Sequence, residues 1–190
     1  MPKIWNETID EHRRAVFEAT LDAAAALVAE HGIRSVTMSQ IAKQTGIGRA
    51  TLYKYFADVG AILLAWHERQ ITRHLEQLVQ IREHAREPRE RLEAVLTAYA
   101  MIIRAIPHES ELASNVHRDP HLASAHKRLT KLFRDLIAEG VAAGNVRDDV
   151  SPDELAGYCI HALTAAKNLA SKDAVRRLVA ITTTGLKSTP

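Results

Sequence analysis

Apolar residues recur along this chain at intervals of three and four, the spacing of helices that bury one stripe each. From Glu11 to His31 the stripe is Phe17, Leu21, Ala24, Leu27 and Val28, and Gly32 is placed to close the helix as its C′ residue. Val36 to Phe56 reads as two short helices around a glycine-centred turn. A long helix is expected from about Asp58 to Ala85, with Ile62, Leu63, Trp66, Ile71, Leu75 and Leu78 facing inward. Pro88 suits the first turn of the next helix, and Pro107 stops it. Its apolar residues Leu92, Val95, Leu96, Tyr99, Met101, Ile102, Ile103 and Ile106 cover most of the circumference, which predicts a central, buried helix.

A short helix is expected at Glu109–Val116, and another from Pro120 to about Ala143, closed by Gly144. Ser151-Pro152-Asp153-Glu154 is a helix start, with a capping serine, proline at N1, glutamate at N3 and a Val150–Leu155 staple. That helix is expected to reach about Leu169, and a last one to span about Asp173 to Leu186. No run of alternating β-branched residues competes with these assignments. The expectation is an all-α fold of about nine helices. It comprises a three-helix head over residues 1–57 and a helical-bundle body over 58–190.

Val36 to Phe56 is the most specific stretch, VTMSQIAKQTGIGRATLYKYF. Thr37 followed by Gln40 is a capping box, and Val36 with Ile41 has the spacing of a hydrophobic staple. Ala42 is small enough for a second helix to approach closely. Gly46 sits where the chain must turn, and glycine takes φ > 0 without a Cβ penalty. Leu52 and Phe56 are spaced to face inward with Ile41 and Ile47. Arg49, Ala50, Thr51, Tyr53, Lys54 and Tyr55 are left wholly or partly outside. This is the pattern of a helix-turn-helix, whose second helix enters a DNA groove. Arginine bonds guanine edges in pairs, and the methyl groups of Ala and Thr meet thymine methyls. Tyrosine hydroxyls and lysine hold phosphates. An ordinary helical hairpin is the plainer alternative.

Charge sharpens the assignment. The chain as a whole is nearly balanced, at +2 with 25 Lys and Arg against 23 Asp and Glu. Between Glu30 and Asp58, however, stand Arg34, Lys43, Arg49 and Lys54 and no acidic residue. The basic character is local, as a DNA-facing surface requires.

At TMSQIAKQTGIGRATLYKYF the sequence resembles the TetR family of one-component transcriptional regulators, and the resemblance covers about the first 65 residues. It implies that Arg49, Ala50, Thr51 and Tyr53 meet base edges or adjacent phosphates. It also implies that Thr37, Met38 and Ser39 anchor phosphate by backbone or side chain, and that Tyr55 holds phosphate. Two positions depart from the family pattern. Gly48 stands where Ser or Thr commonly caps the recognition helix, and Gly is a weaker cap by a few tenths of a kcal/mol. Val59 and Gly60 replace a common Lys-Glu pair, which removes one phosphate contact and leaves Asp58 to cap the fourth helix.

The resemblance further implies a homodimer with two recognition helices about 34–36 Å apart on a palindromic operator of double-stranded DNA, released by a small molecule bound in the body. The last two helices carry Leu155, Cys159, Ala162, Leu163 and Ala166, then Leu178 and Val179, an apolar face suited either to a four-helix contact with a second copy or to the monomer core. Trp66, Tyr99, Ile103 and Phe133 are candidates for a ligand-pocket wall or for plain core. Arg104 could meet an anionic ligand or form a salt bridge, and His161 marks an interface or pocket.

The rest of the composition excludes more than it proposes. His117, His121 and His126 cluster in sequence, but Pro120 breaks their helix and no HExxH or Cys pattern supports them, so no metal and no cofactor are expected. Cys159 is the single cysteine, which excludes an internal disulfide. No apolar stretch is long enough to span a bilayer, and MPKIWNETIDEH lacks the apolar core of a signal peptide. A cytoplasmic, non-enzymatic regulator is the expectation. The alternatives are an enzyme using a helical pocket, for which no nucleophile–base pair stands at recognisable spacing, and a dimeric scaffold whose helix-turn-helix no longer binds DNA.

Overall fold

The computed structural model describes residues 3–32, 35–106 and 120–187, with side chains over 10–32, 35–106 and 124–187. Among these residues there is no strand, and eight α-helices carry the fold: α1 (Lys3–His31), α2 (Met38–Thr45), α3 (Arg49–Tyr55), α4 (Val59–His84), α5 (Pro88–Ala105), α6 (Pro120–Ala142), α7 (Pro152–Thr164) and α8 (Lys172–Gly185). The helix expected at Glu109–Val116 lies outside the described residues. Contacts group the chain into two units, residues 1–70 and 71–190, and α4 contributes to both.

In the first unit, α1 is eight residues longer at its start than its apolar stripe required. Leu21, Ala24 and Leu27 are buried as the stripe predicts, while Phe17 and Val28 are half-buried. Thr20 is buried on the same face, and its hydroxyl donates to the Val16 carbonyl at 2.7 Å, so the polar group is satisfied inside its own helix. Phe17 stacks on Phe56 with ring centroids 5.0 Å apart. Ile41, Leu52 and Ile62 are fully buried and bring α2, α3 and the start of α4 into this core.

In the second unit, α5 is central. Its Leu92, Val95, Leu96, Tyr99 and Ala100 are buried, and it packs against α6, α7 and α8. Phe133, Leu136 and Ile137 of α6 are fully buried beside it. The α4–α5 turn is held by Arg91, whose Nε donates to the Ala85 carbonyl at 2.8 Å and Nη2 to that of Arg86 at 2.9 Å. Glu139 of α6 ion-pairs with both Arg82 and Arg91. Gly144 closes α6 with φ +71°, a conformation that L side chains rarely adopt. The expected cap of α7 is present: the Ser151 hydroxyl accepts the Glu154 N–H and the Glu154 carboxylate accepts the Ser151 N–H. α7 stops at Thr164, earlier than its apolar pattern suggests, because Ala165–Asn168 tightens into a 3-10 turn.

Candidate nucleic-acid interface

The candidate interface is built from α2, the turn after it and α3. Thr37 is extended (φ −123°, ψ 154°) and caps α2: its N–H donates to Gln40 Oε1 at 2.8 Å, and its hydroxyl accepts the Gln40 N–H at 3.3 Å. Val36 and Ile41 are both buried, completing the staple. The amides of Met38 and Ser39 are left at the helix start, where backbone N–H groups attract anions. Thr37 and Ser39 are exposed. Met38 is not: its side chain is 7% exposed and belongs to the core, so of the two expected anchors, backbone or side chain, it has only its backbone amide to offer. Position N1 of this helix turns its side chain under the staple, which the residue order did not reveal.

Gly46 makes the turn in the left-handed region, with φ 69° and ψ 11°. Thr45 tightens it, donating its hydroxyl to the Ile41 carbonyl at 2.8 Å. Gly48 then starts α3 with no side-chain cap, and its carbonyl accepts the N–H groups of Thr51 (2.9 Å) and Leu52 (3.0 Å). Leu52 is fully buried and Phe56 nearly so. Anchoring these two leaves Arg49, Ala50, Thr51, Tyr53 and Lys54 exposed together, and Tyr55 half-buried. Tyr53 is 48% exposed, a large apolar ring held open to solvent on a seven-residue helix. Lys43 of α2 is exposed as well. Arg34 lies outside the described residues. The Asp58 carboxylate accepts the Ala61 N–H at 2.8 Å and so caps α4. A Cβ at Gly60 would stand 3.1 Å from that carboxylate, so glycine leaves room for this cap.

Comparison with known proteins bears on both halves of the chain. Residues 21–65 match the family described as bacterial regulatory proteins, tetR family, and residues 88–188 match the C-terminal domain of SbtR-like transcriptional regulators. The chain belongs to the TetR family. The fatty acid metabolism regulator protein of Bacillus subtilis (strain 168) is 23% identical over 144 residues, covering 73% of this chain and 74% of that one. A crystal structure of a TetR/AcrR-family transcriptional regulator from Thermobifida fusca superposes with TM-score 0.73 at 23% identity, covering 92% of this chain and 98% of the other. The regulator FadR of Bacillus subtilis in complex with stearoyl-CoA superposes with TM-score 0.63 at 18% identity, covering 88% and 94%. As a TetR-family member the protein is a DNA-binding transcriptional regulator, and the helix-turn-helix described above is its DNA-binding element.

Most of the body residues singled out as a ligand site belong to the second unit of this TetR-family chain. Tyr99 and Phe133 meet edge to face with centroids 5.3 Å apart, inside the core of the second unit. Burial pushes the Tyr99 hydroxyl up to about 12, so it remains a protonated donor at neutral pH. Ile103 is half-buried against that core, His161 is exposed, and Trp66 belongs to the first unit. Arg104 is held by backbone: its Nε donates to the Leu169 carbonyl at 3.2 Å and its Nη2 to that of Ala170 at 2.9 Å. It ties α5 to the chain end that leaves the 3-10 turn. A groove of about 460 Å³ does open on the second unit, but Gln77, Gln80, Ile81, His84, Ala85 and Ala94 line it, none of them anticipated.

Five of the seven residues expected at the dimer interface are corrected by their burial within the single chain. Leu155, Cys159, Leu163, Ala166 and Val179 are at most 5% exposed within the single chain and form its own core. Ala162 and Leu178 are half-buried. Small residues on α7 allow close packing within the protomer, and an apolar stripe alone does not tell which neighbour it meets. The large apolar side chains left exposed on these helices are Tyr158, 45% exposed, and Ile181, 67% exposed. Burial pushes the Cys159 thiol up to about 12, far from the thiolate that reacts. His126 is exposed, the side chains of His117 and His121 lie outside the described residues, and among the described residues no three His, Cys, Asp or Glu side chains group as metal ligands. No described helix is long and apolar enough to cross a membrane.

Proposed function

We propose that the protein is a cytoplasmic homodimeric repressor that binds a palindromic operator and leaves it when a small molecule occupies the body. Residues 1–57 are assigned to DNA binding and residues 58–190 to ligand sensing and dimerisation. The supporting observation is the surface of α3, where Arg49, Ala50, Thr51, Tyr53 and Lys54 stand exposed on a helix whose Leu52 and Phe56 are buried. Arg49 reads a guanine edge, and the methyl groups of Ala50 and Thr51 meet thymine. Tyr53, Lys54 and Tyr55 hold phosphates. Thr37, Ser39 and the Met38 amide hold a further phosphate at the start of α2. The protein acts by binding and not by catalysis.

Dimerisation is assigned to the outer face of the last two helices. Tyr158 and Ala162 are one turn apart on α7, and Leu178 and Ile181 are one turn apart on α8. Sedimentation velocity tests this directly. Ile181→Asp sediments as a monomer where the wild-type chain sediments as a dimer, and an unchanged sedimentation coefficient excludes this face.

The effector is a small molecule that prefers the body conformation whose α3 spacing no longer matches two successive grooves. Coupling of about 1–3 kcal/mol suffices. Because the relatives include a fatty acid metabolism regulator and a regulator bound to stearoyl-CoA, acyl-CoA thioesters are the first candidates. Selection of duplexes from random sequence, followed by mobility shift with and without an acyl-CoA series, tests operator and effector together. A palindromic consensus is expected. Failure to enrich any duplex overturns the operator reading, and an enriched duplex that no acyl-CoA displaces removes that effector class alone.

A further inference from the structure

Arg69 is a polar feature of the first unit that the proposed DNA contacts do not use. Its guanidinium reaches from α4 to two carboxylates one turn apart on α1, Glu18 and Asp22, which lie 51 and 47 residues away in sequence. The Arg69 side chain is only 11% exposed, while those of Glu18 and Asp22 are 41% and 67% exposed, so a sheltered guanidinium reaches out to two carboxylates that stay open to water. Its Nε is buried with no hydrogen-bond partner among the described residues. A guanidinium aimed only at solubility or surface charge would keep all its N–H groups in water. Here one donor is left unsatisfied so that the other two nitrogens can span two acceptors. The planar fork makes that possible, and a lysine point charge could not reproduce it.

The helix it grips matters. α1 packs against α2, and α2 packs against α3. Fastening α4 to α1 therefore fixes the platform on which the helix-turn-helix is presented. We propose that Arg69 is a positioning residue for DNA binding: by bridging Glu18 and Asp22 it holds α4 and α1 at the angle that sets α3 for the groove, without itself touching DNA. The carboxylate pair serves as the receiving end of the latch. Their i, i+4 spacing matches the width of the fork only while both helices keep their relative position, so the contact is sensitive to sliding or rotation of α4 along α1.

The test uses full-length protein and the duplex recovered by selection with wild-type protein. Arg69→Met keeps the length of the side chain and removes its charge and fork. Dissociation constants are measured across a salt series, after the active fraction of each preparation is fixed by stoichiometric titration. The expected result is a roughly tenfold or greater rise in Kd of the active fraction, with the slope of log K against log salt and the preferred sequence unchanged. Each phosphate contact contributes about 0.9 to that slope, so a slope lower by about one unit would make Arg69 a DNA contact and overturn the proposal. A wild-type Kd overturns it, as does a loss confined to the active fraction, because that is what a merely structural role predicts. Should Arg69→Met not fold, Arg69→Lys decides the matter on the same measurements. An increase of about threefold or more at constant slope supports the latch, since lysine keeps the charge but engages one carboxylate at a time. A wild-type Kd for that variant rejects it.

Discussion

The first and second units of this chain solve different problems with the same material. In the first, a few consecutive residues both build the element and carry its chemistry. Leu52 and Phe56 are buried, and the side chains between and before them are exposed. In the second, the informative residues are buried and mutually exchangeable in kind. Leu155, Leu163, Phe133 and Val179 each complete a core whose partners lie far away in sequence. The lesson is that an exposed functional surface is encoded by order along one short helix, whereas an apolar helical face says that something covers it and not what.

The comparison is broken most strongly from the second unit. Phe133 is fully buried and meets Tyr99 edge to face. Phe133→Ala leaves a cavity there and lowers stability by about 3–5 kcal/mol, read by urea denaturation followed by circular dichroism. The α3 surface is untouched, so the folded fraction keeps the wild-type salt slope on the selected duplex. A loss below about 1 kcal/mol would mean that the site collapses around the missing ring and that Phe133 is replaceable wall.

A substitution in the first unit has the inverse signature. Arg49 is exposed, so Arg49→Ala changes stability by no more than about 0.5 kcal/mol. Binding falls by about 1–3 kcal/mol, and preference relaxes at one position of each half-site. Repeating the duplex selection with the variant shows whether that position becomes degenerate. An unchanged consensus with a shallower salt slope would reassign Arg49 from base edge to phosphate.

These two outcomes also mark what the sequence could disclose. The head was legible because its signals are local and independent. The capping box of Thr37 and Gln40, the left-handed Gly46 and the buried pair Leu52 and Phe56 each demand a particular residue at a particular place. Helix starts in the body were legible for the same reason, as at Ser151 and Pro152. Four things were not. Whether Met38 offers its backbone or its side chain depends on burial, and the first position of α2 points into the core. Arg104 interrupts an apolar helix, which suits a ligand partner and a salt bridge alike, yet the carbonyls it satisfies come from residues 65 and 66 positions away. The apolar stripes of α7 and α8 looked like an interface, but they close on their own chain and leave Tyr158 and Ile181 outside. The bridge from Arg69 to Glu18 and Asp22 gave no sequence signal at all, since charges at helical spacing are ordinary on long helices. In every case the missing information was a tertiary neighbour, which periodicity does not name.

The smallest effect sharpens the comparison at the place where the head departs from its family. Asp58 caps α4, and Val59, half-buried, opens it where family members often carry lysine. Val59→Lys adds a cation beside a helix start. Two terms oppose each other there. A new phosphate contact steepens the log–log salt slope by about 0.9. The helix dipole disfavours a cation in the first turn by about 0.3–1 kcal/mol, an amount the neighbouring Asp58 carboxylate offsets in part. The net expectation is a roughly twofold to fivefold tighter complex at low salt that converges on wild type as salt rises. The slope is the decisive quantity, because a stability change from losing a half-buried valine moves the active fraction and leaves the slope alone. A steeper slope means that this end of α4 faces the backbone of DNA and that the head gives up one available contact. An unchanged slope places Val59 away from the duplex, and the grip then rests on α2 and α3.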